Sequence, residues 1–149
     1  MKKRMIILMT SLIFTFTATY AKTSDTKVPE SVTSEFNSDF SQASNVQWEK
    51  IADYFKVSFN QHGVVLYAFY TDDADFMGIA NYMLSDKLPV SLKSEIKKNY
   101  PGYWITDLIK YSIKDKPGYY VALENANQKI MLKTDRNENW YVYKTIAKS

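Results

Sequence analysis

Val28-Pro29-Glu30-Ser31-Val32-Thr33-Ser34-Glu35-Phe36-Asn37-Ser38-Asp39-Phe40 and, sixty residues later, Leu88-Pro89-Val90-Ser91-Leu92-Lys93-Ser94-Glu95-Ile96-Lys97-Lys98-Asn99-Tyr100 decide how the fold is read. In the first stretch Val32, Phe36 and Phe40 recur every four residues, which puts them on one face of a helix, and in the second Leu92, Ile96 and Tyr100 do the same. Proline at the first helical position costs nothing, because its missing amide hydrogen would have no helical acceptor there, and Pro101-Gly102 ends the second segment. The shared pattern reads as an internal repeat.

Behind each helix the apolar residues alternate, which is the period of a strand. Phe55, Val57 and Phe59 interleave with Tyr54, Lys56 and Ser58, and Tyr119, Val121 and Leu123 interleave with Tyr120 and Ala122. Gln61-His62-Gly63 supplies a turn with a glycine free to take positive φ, and Asn125-Ala126-Asn127-Gln128 holds the corresponding place later. Thr71-Asp72 matches Thr134-Asp135, and Met77, Ile79 and Met83 match Trp140, Val142 and Ile146. The patterns predict helices over 29–40 and 90–100, and strands near 45–51, 54–61, 64–71, 76–84, 104–113, 118–125, 129–134 and 140–147. The expected fold class is α+β: a tandem repeat, 28–84 and 88–147, of one helix plus a four-stranded antiparallel meander, with the helices packed on one sheet face.

Residues 1–21 read as a secretory signal peptide: Met1-Lys2-Lys3-Arg4 is positive, Met5 to Phe16 is uncharged and apolar, and Thr17-Ala18-Thr19-Tyr20-Ala21 places small residues before the cut. Residues 22–27 form a polar leader, and no later segment approaches the roughly 20 apolar residues of a membrane span. The expectation is a periplasmic or secreted product. Losing Lys2, Lys3 and Arg4 takes three of the 19 basic residues and leaves 16 against 16 acidic ones. A neutral mature chain lacks the positive surface that nucleic acid or an anionic membrane requires. With no cysteine, disulfides and thiolate metal sites are excluded.

The helices opening on Val28-Pro29 and Leu88-Pro89, Trp48-Glu49, Tyr100-Pro101 and the strand Tyr119 to Leu123 together resemble the PepSY-like, β-lactamase-inhibitor-like family, over roughly residues 28–147. The resemblance implies a non-catalytic binding module related in architecture to secreted β-lactamase inhibitors, though without their disulfides. It names no target, because a shared fold does not transfer a partner.

The residues themselves argue against catalysis. His62 is the only histidine and sits in a turn, so neither a Ser nor a Cys triad can be assembled, and no cofactor is expected. A carboxylate mechanism could draw only on Asp72, Asp73 and Asp75. The acidic turns Asp72-Asp73-Ala74-Asp75 and Asp135-Arg136-Asn137-Glu138-Asn139 look superficially like calcium loops. Counted from Asp73, Gly78 falls sixth but Leu84 holds the twelfth place, where a bidentate glutamate belongs; counted from Asp135, both places fail. No metal site is expected, and a small-ligand or calcium-binding envelope sensor stays as the alternative function.

The informative feature is a surplus of aromatic residues. Aligning the halves assigns Phe55, Val57, Phe59, Tyr67, Phe69, Met77 and Ile79 to the core with Tyr119, Val121, Leu123, Ile130, Leu132, Trp140 and Val142. Alternation then sends Tyr54, Leu66, Tyr70, Phe76, Tyr82, Tyr120, Met131, Tyr141 and Tyr143 to the opposite face. Solvated strands usually carry Thr, Lys and Glu, whereas Tyr combines large contact area with a polar tip and concentrates where partners dock. Packing of two sheets through these rings, or the plain strand propensity of tyrosine, would explain the same pattern. The expected site is a protein-binding face of Tyr54, Tyr70, Phe76, Tyr82, Tyr120, Tyr141 and Tyr143, engaging an unidentified envelope or secreted protein.

Overall fold

The structure is a computed structural model that describes residues 26–135 and 139–148. The expected signal peptide lies outside the described residues, as do three residues of the second acidic turn. Helix α1 (Glu30–Asp39) is followed by β1 (Ser44–Ile51), β2 (Tyr54–Gln61), β3 (Val64–Thr71) and β4 (Phe76–Tyr82). A 3-10 turn (Ser85–Lys87) then leads to helix α2 (Val90–Asn99) and to β5 (Trp104–Ile113), β6 (Lys116–Glu124), β7 (Gln128–Thr134) and β8 (Trp140–Ala147).

Helix α1 begins one residue later than the sequence predicts and α2 begins where predicted, so neither proline is itself helical. Pro29 and Pro89 stay extended, with ψ of 144° and 138°, and lend only their carbonyls to the first turn: Val32 N donates to Pro29 O at 3.1 Å and Lys93 N to Pro89 O at 3.0 Å. Ten-residue helices are marginal alone, so packing holds them. α1 buries Val32 and Phe36 against Phe55, Val57, Phe59, Ala68 and Tyr70. The Phe36 ring meets Phe59 and Trp48 edge-on at 5.1 and 5.3 Å. α2 buries Leu92 and Ile96 against Leu108, Val121, Leu123, Ile130 and Leu132. Trp140 ties β8 to this helix, its indole N–H donating to the carbonyl of Leu92 at 3.0 Å.

The expectation of an α+β tandem of helix-plus-four-strand units is corrected. All eight strands form a single antiparallel sheet in the order β1 to β8, and two short helices accompany it, so the chain is mostly β. β4 does not end a unit: Ile79, Ala80, Asn81 and Tyr82 pair with Ser112, Tyr111, Lys110 and Ile109 of β5, and Met83 N donates to Leu108 O at 3.0 Å. Proline-initiated helices announce themselves in a sequence by their period, whereas pairing across the long connection from β4 to β5 leaves no local mark.

The face assignment of β3 is corrected as well. Aligning the halves puts Tyr67 and Phe69 on the core face, but the loop is His62-Gly63, both at positive φ (51° and 78°), with Gln61 paired to Val64. A two-residue loop of this type matches the strand twist and fixes the register. Phe59 is therefore opposite Leu66, Val57 opposite Ala68, and Phe55 opposite Tyr70. One residue of slip turns every side chain to the other face, so Tyr70 lies under α1 while Tyr67 and Phe69 lie on the opposite side.

Phe36→Ala and Ile96→Ala remove rings or branches from these two cores, and each is expected to destabilise the protein by about 2–5 kcal/mol. Denaturant unfolding followed by circular dichroism checks this; unchanged midpoints in both variants would contradict the packing.

Candidate protein-binding face

Strand parity sorts the side chains into two groups, one under the helices and one on the face that carries no helix among the described residues. On that second face Tyr54, Phe69, Ala80, Ile109 and Tyr120 are buried in one continuous cluster, joined by half-buried Ile51, Tyr67, Met77, Tyr111 and Tyr143. The cluster draws on strands from β1 to β8 and bridges the β4–β5 seam, where Tyr82 is paired with Ile109 and Ala80 with Tyr111. Its rings stack edge to face or tilted: Tyr54 with Phe69 at 6.2 Å, Tyr67 with Tyr82 at 6.2 Å, Tyr111 with Tyr120 at 5.2 Å and Tyr120 with Tyr143 at 5.7 Å.

Three local devices aim these residues. Met77 is the extra residue of a bulge between Phe69 and Tyr70, and Tyr143 that of a bulge between Met131 and Leu132. Each bulge re-aims its strand, and both residues join the cluster. Gly118 lies directly across from Tyr111, whose ring covers the bare backbone so closely that a Cβ there would collide with it. Third, Lys133 of β7 is flanked in register by Tyr120 on β6 and Tyr141 on β8, with its ammonium 5.0 Å from the Tyr120 ring centre and 5.5 Å from that of Tyr111.

Burial raises the phenols of Tyr67, Tyr82, Tyr111, Tyr120 and Tyr141 above their usual value. Burial, then the charge of Asp107, pushes Tyr82 up to about 12. Burial raises Tyr120 further, and its hydroxyl is buried without a hydrogen-bond partner. Raised phenol values remove anionic tyrosine as a nucleophile or base and leave rings with polar tips, the chemistry of contact.

Five of the seven residues expected at the site share this face. Tyr54 and Tyr120 are buried within the cluster, Tyr143 packs on Tyr120, and Tyr82 and Tyr141 are exposed at 41% and 42%. Tyr70 and Phe76 are not with them. Tyr70 is buried on the α1 side, where its hydroxyl donates to Asp39 Oδ2 at 2.9 Å, and Phe76 stacks on Tyr70 and Phe40 at 5.5 and 6.2 Å. Sequence reasoning missed Tyr67, Phe69, Ile109, Tyr111 and Lys133. Carrying the register of strands 54–61 and 64–71 across the His62-Gly63 loop, in place of aligning the halves, recovers the first two.

The acidic turns are braced by local contacts. Asp72 is ion-paired with Lys50, Thr71 Oγ1 accepts from Asp75 N at 3.0 Å, and Asp135 Oδ1 accepts from Asn139 N at 2.8 Å. Among the described residues no three His, Cys, Asp or Glu side chains come together as a metal site, and His62 is confined to its turn. No helix among them is long and apolar enough to cross a membrane.

No family model and no curated protein matches this chain. Solved structures do share its fold. A candidate periplasmic protein of Bacteroides eggerthii superposes with a TM-score of 0.70 at 13% identity, over 80% of this chain and 88% of that one. A BLIP-like protein of Bacteroides fragilis gives 0.69 at 13% identity, over 81% and 88%. A DUF2874 family protein of Bacteroides ovatus gives 0.69 at 16%, over 80% and 86%. The architecture is thus that of BLIP-like and DUF2874 proteins.

One end of the face is closed by charge. Lys148 and Lys129 donate to the Glu124 carboxylate at 2.8 and 3.1 Å, and Lys129 also reaches Asp107 at 3.3 Å. The hydrogen bond from Lys148, then that from Lys129, lowers Glu124 to about 2. A depressed folded-state value means the stabilisation is complete above the unfolded value near 4.3 and is lost as pH falls toward 2. Glu124→Gln is expected to flatten the stability-versus-pH curve between about 4.3 and 2; an unchanged slope in that window would contradict the network.

Proposed function

We propose that this chain is an exported, non-enzymatic protein-binding or inhibitor-like module of the PepSY-like kind, working in the periplasm or outside the cell. Its helix-free sheet face engages another envelope or secreted protein. The observation that carries the reading is the aromatic cluster itself: tyrosines gathered from many strands of one sheet, with Tyr82 and Tyr141 exposed at its margins. Buried tyrosines stiffen such a face, and exposed ones supply anchors with few rotatable bonds. Export is supported by the signal-like residues 1–21 and by the periplasmic description of the Bacteroides eggerthii neighbour. The inhibitor-like reading is supported by the BLIP-like neighbour, and a non-enzymatic role by a chain with one histidine and no cysteine.

The double change Tyr82→Ser/Tyr141→Ser separates binding from scaffold. Both side chains are exposed, so folding stability should change by no more than about 1 kcal/mol. Truncated interface anchors typically lose more than about 2 kcal/mol each, and the variant should fail to retain any envelope protein that the mature wild-type chain captures. Capture that is equal for the two chains would overturn the reading.

A further inference from the structure

We propose that Lys133 anchors a carboxylate presented by the partner protein, seated beside Tyr120 and Tyr141 on the helix-free face. This rests on the binding function proposed above and names the chemistry that its partner must carry.

Lys133 and Lys129 stand four residues apart on the same side of β7, and the structure treats them differently. Lys129 is neutralised from within, by Glu124 and Asp107. Lys133 is half-buried, and among the described residues no carboxylate pairs with its ammonium; what it has are the faces of Tyr120 and Tyr111. Ring faces compensate a cation's lost hydration only in part. Burial alone pushes the Lys133 ammonium below its usual value, as expected of a charge short of a counter-ion.

A second shortage lies beside it. Tyr120, the cross-strand neighbour of Lys133, has a buried hydroxyl with no hydrogen-bond partner. The ring that Lys133 covers is therefore a fixed, apolar floor whose own polar tip gives the ammonium no counter-charge. A carboxylate seated on Lys133 supplies the missing counter-charge, in a half-dry setting where charge-assisted hydrogen bonds are strong.

The distribution of charge along the chain points the same way. Residues 28–84 carry two basic side chains against eight acidic ones, and residues 85–149 carry twelve against seven. Because β5 to β8 all come from the second segment, an acidic partner loop is steered toward the half of the sheet that holds Lys133.

The test is an NMR titration of the mature chain with N-acetyl-Phe-Asp-amide, with its Asn isostere, and with sodium acetate as a free carboxylate. The aspartyl peptide should shift the Lys133 and Tyr120 signals saturably and bind at least about tenfold more tightly than the asparaginyl one and than acetate. Lys133→Gln should abolish that preference, and Lys133→Arg should keep it. No saturable shift, equal affinity for the peptides, or an undiminished preference in Lys133→Gln would overturn the assignment. Acetate binding as tightly as the peptide would overturn it too, because the site would then take free acids. If Lys133→Gln fails to fold, the wild-type chain and Lys133→Arg still decide the matter. Capture of an envelope protein tells this assignment from its parent: kept by Lys133→Gln but lost by Tyr82→Ser/Tyr141→Ser, it refutes only the carboxylate; kept by both, it refutes the binding face.

Discussion

Everything distinctive about this protein depends on the pairing of β4 with β5. The helix-covered cores are separate: α1 closes one over β2 and β3, and α2 closes the other over β5, β6 and β7. What joins them is the backbone ladder from Ile79 to Tyr82 and from Ile109 to Ser112, overlaid on the helix-free side by Tyr54, Phe69, Ala80, Ile109 and Tyr120. A ladder of four residue pairs is a modest bond by itself. Covered by aromatic packing, its peptide groups are kept from water and the sheet becomes one body.

That arrangement explains why binding and stability share residues on this face. The cluster's centre is buried and holds the seam, while its margins, Tyr82 and Tyr141, remain exposed. Central truncations would thus act on folding before they act on recognition, and marginal ones the reverse. Gly118 fits the same logic: only a residue without a side chain lets Tyr111 lie flat across the sheet beside Tyr120. The polar tips of the rings and the cation of Lys133 give direction to a surface that would otherwise be merely sticky.

Much of the local structure was legible in the sequence. The four-residue spacing of Val32, Phe36 and Phe40 and the alternation of Phe55, Val57 and Phe59 locate elements to within about two residues, because those periods are imposed by the burial they produce. The fold class was not legible, because membership of one sheet is decided by a pairing between β4 and β5 that no local pattern encodes. The site was legible in part. Tyr54, Tyr82, Tyr120, Tyr141 and Tyr143 share a face as alternation predicts. Tyr70 and Phe76 lie on the other face because aligning the halves misassigns the parity of β3: the Gln61–Val64 pair sets Tyr70 opposite Phe55, and Phe76 pairs with Tyr70. Lys133 went unnoticed because one lysine among many signals nothing until its neighbours across the sheet are known.

Native-state hydrogen exchange at the seam tests the central claim most directly. If β4 and β5 are the interior of one cooperative sheet, their protected amides open only with global unfolding, at the same free energy as those of β2 with β3 and of β6 with β7. Seam amides that open at a free energy lower by more than about 2 kcal/mol, while both flanking hairpins stay protected, would show two independent halves and contradict the account.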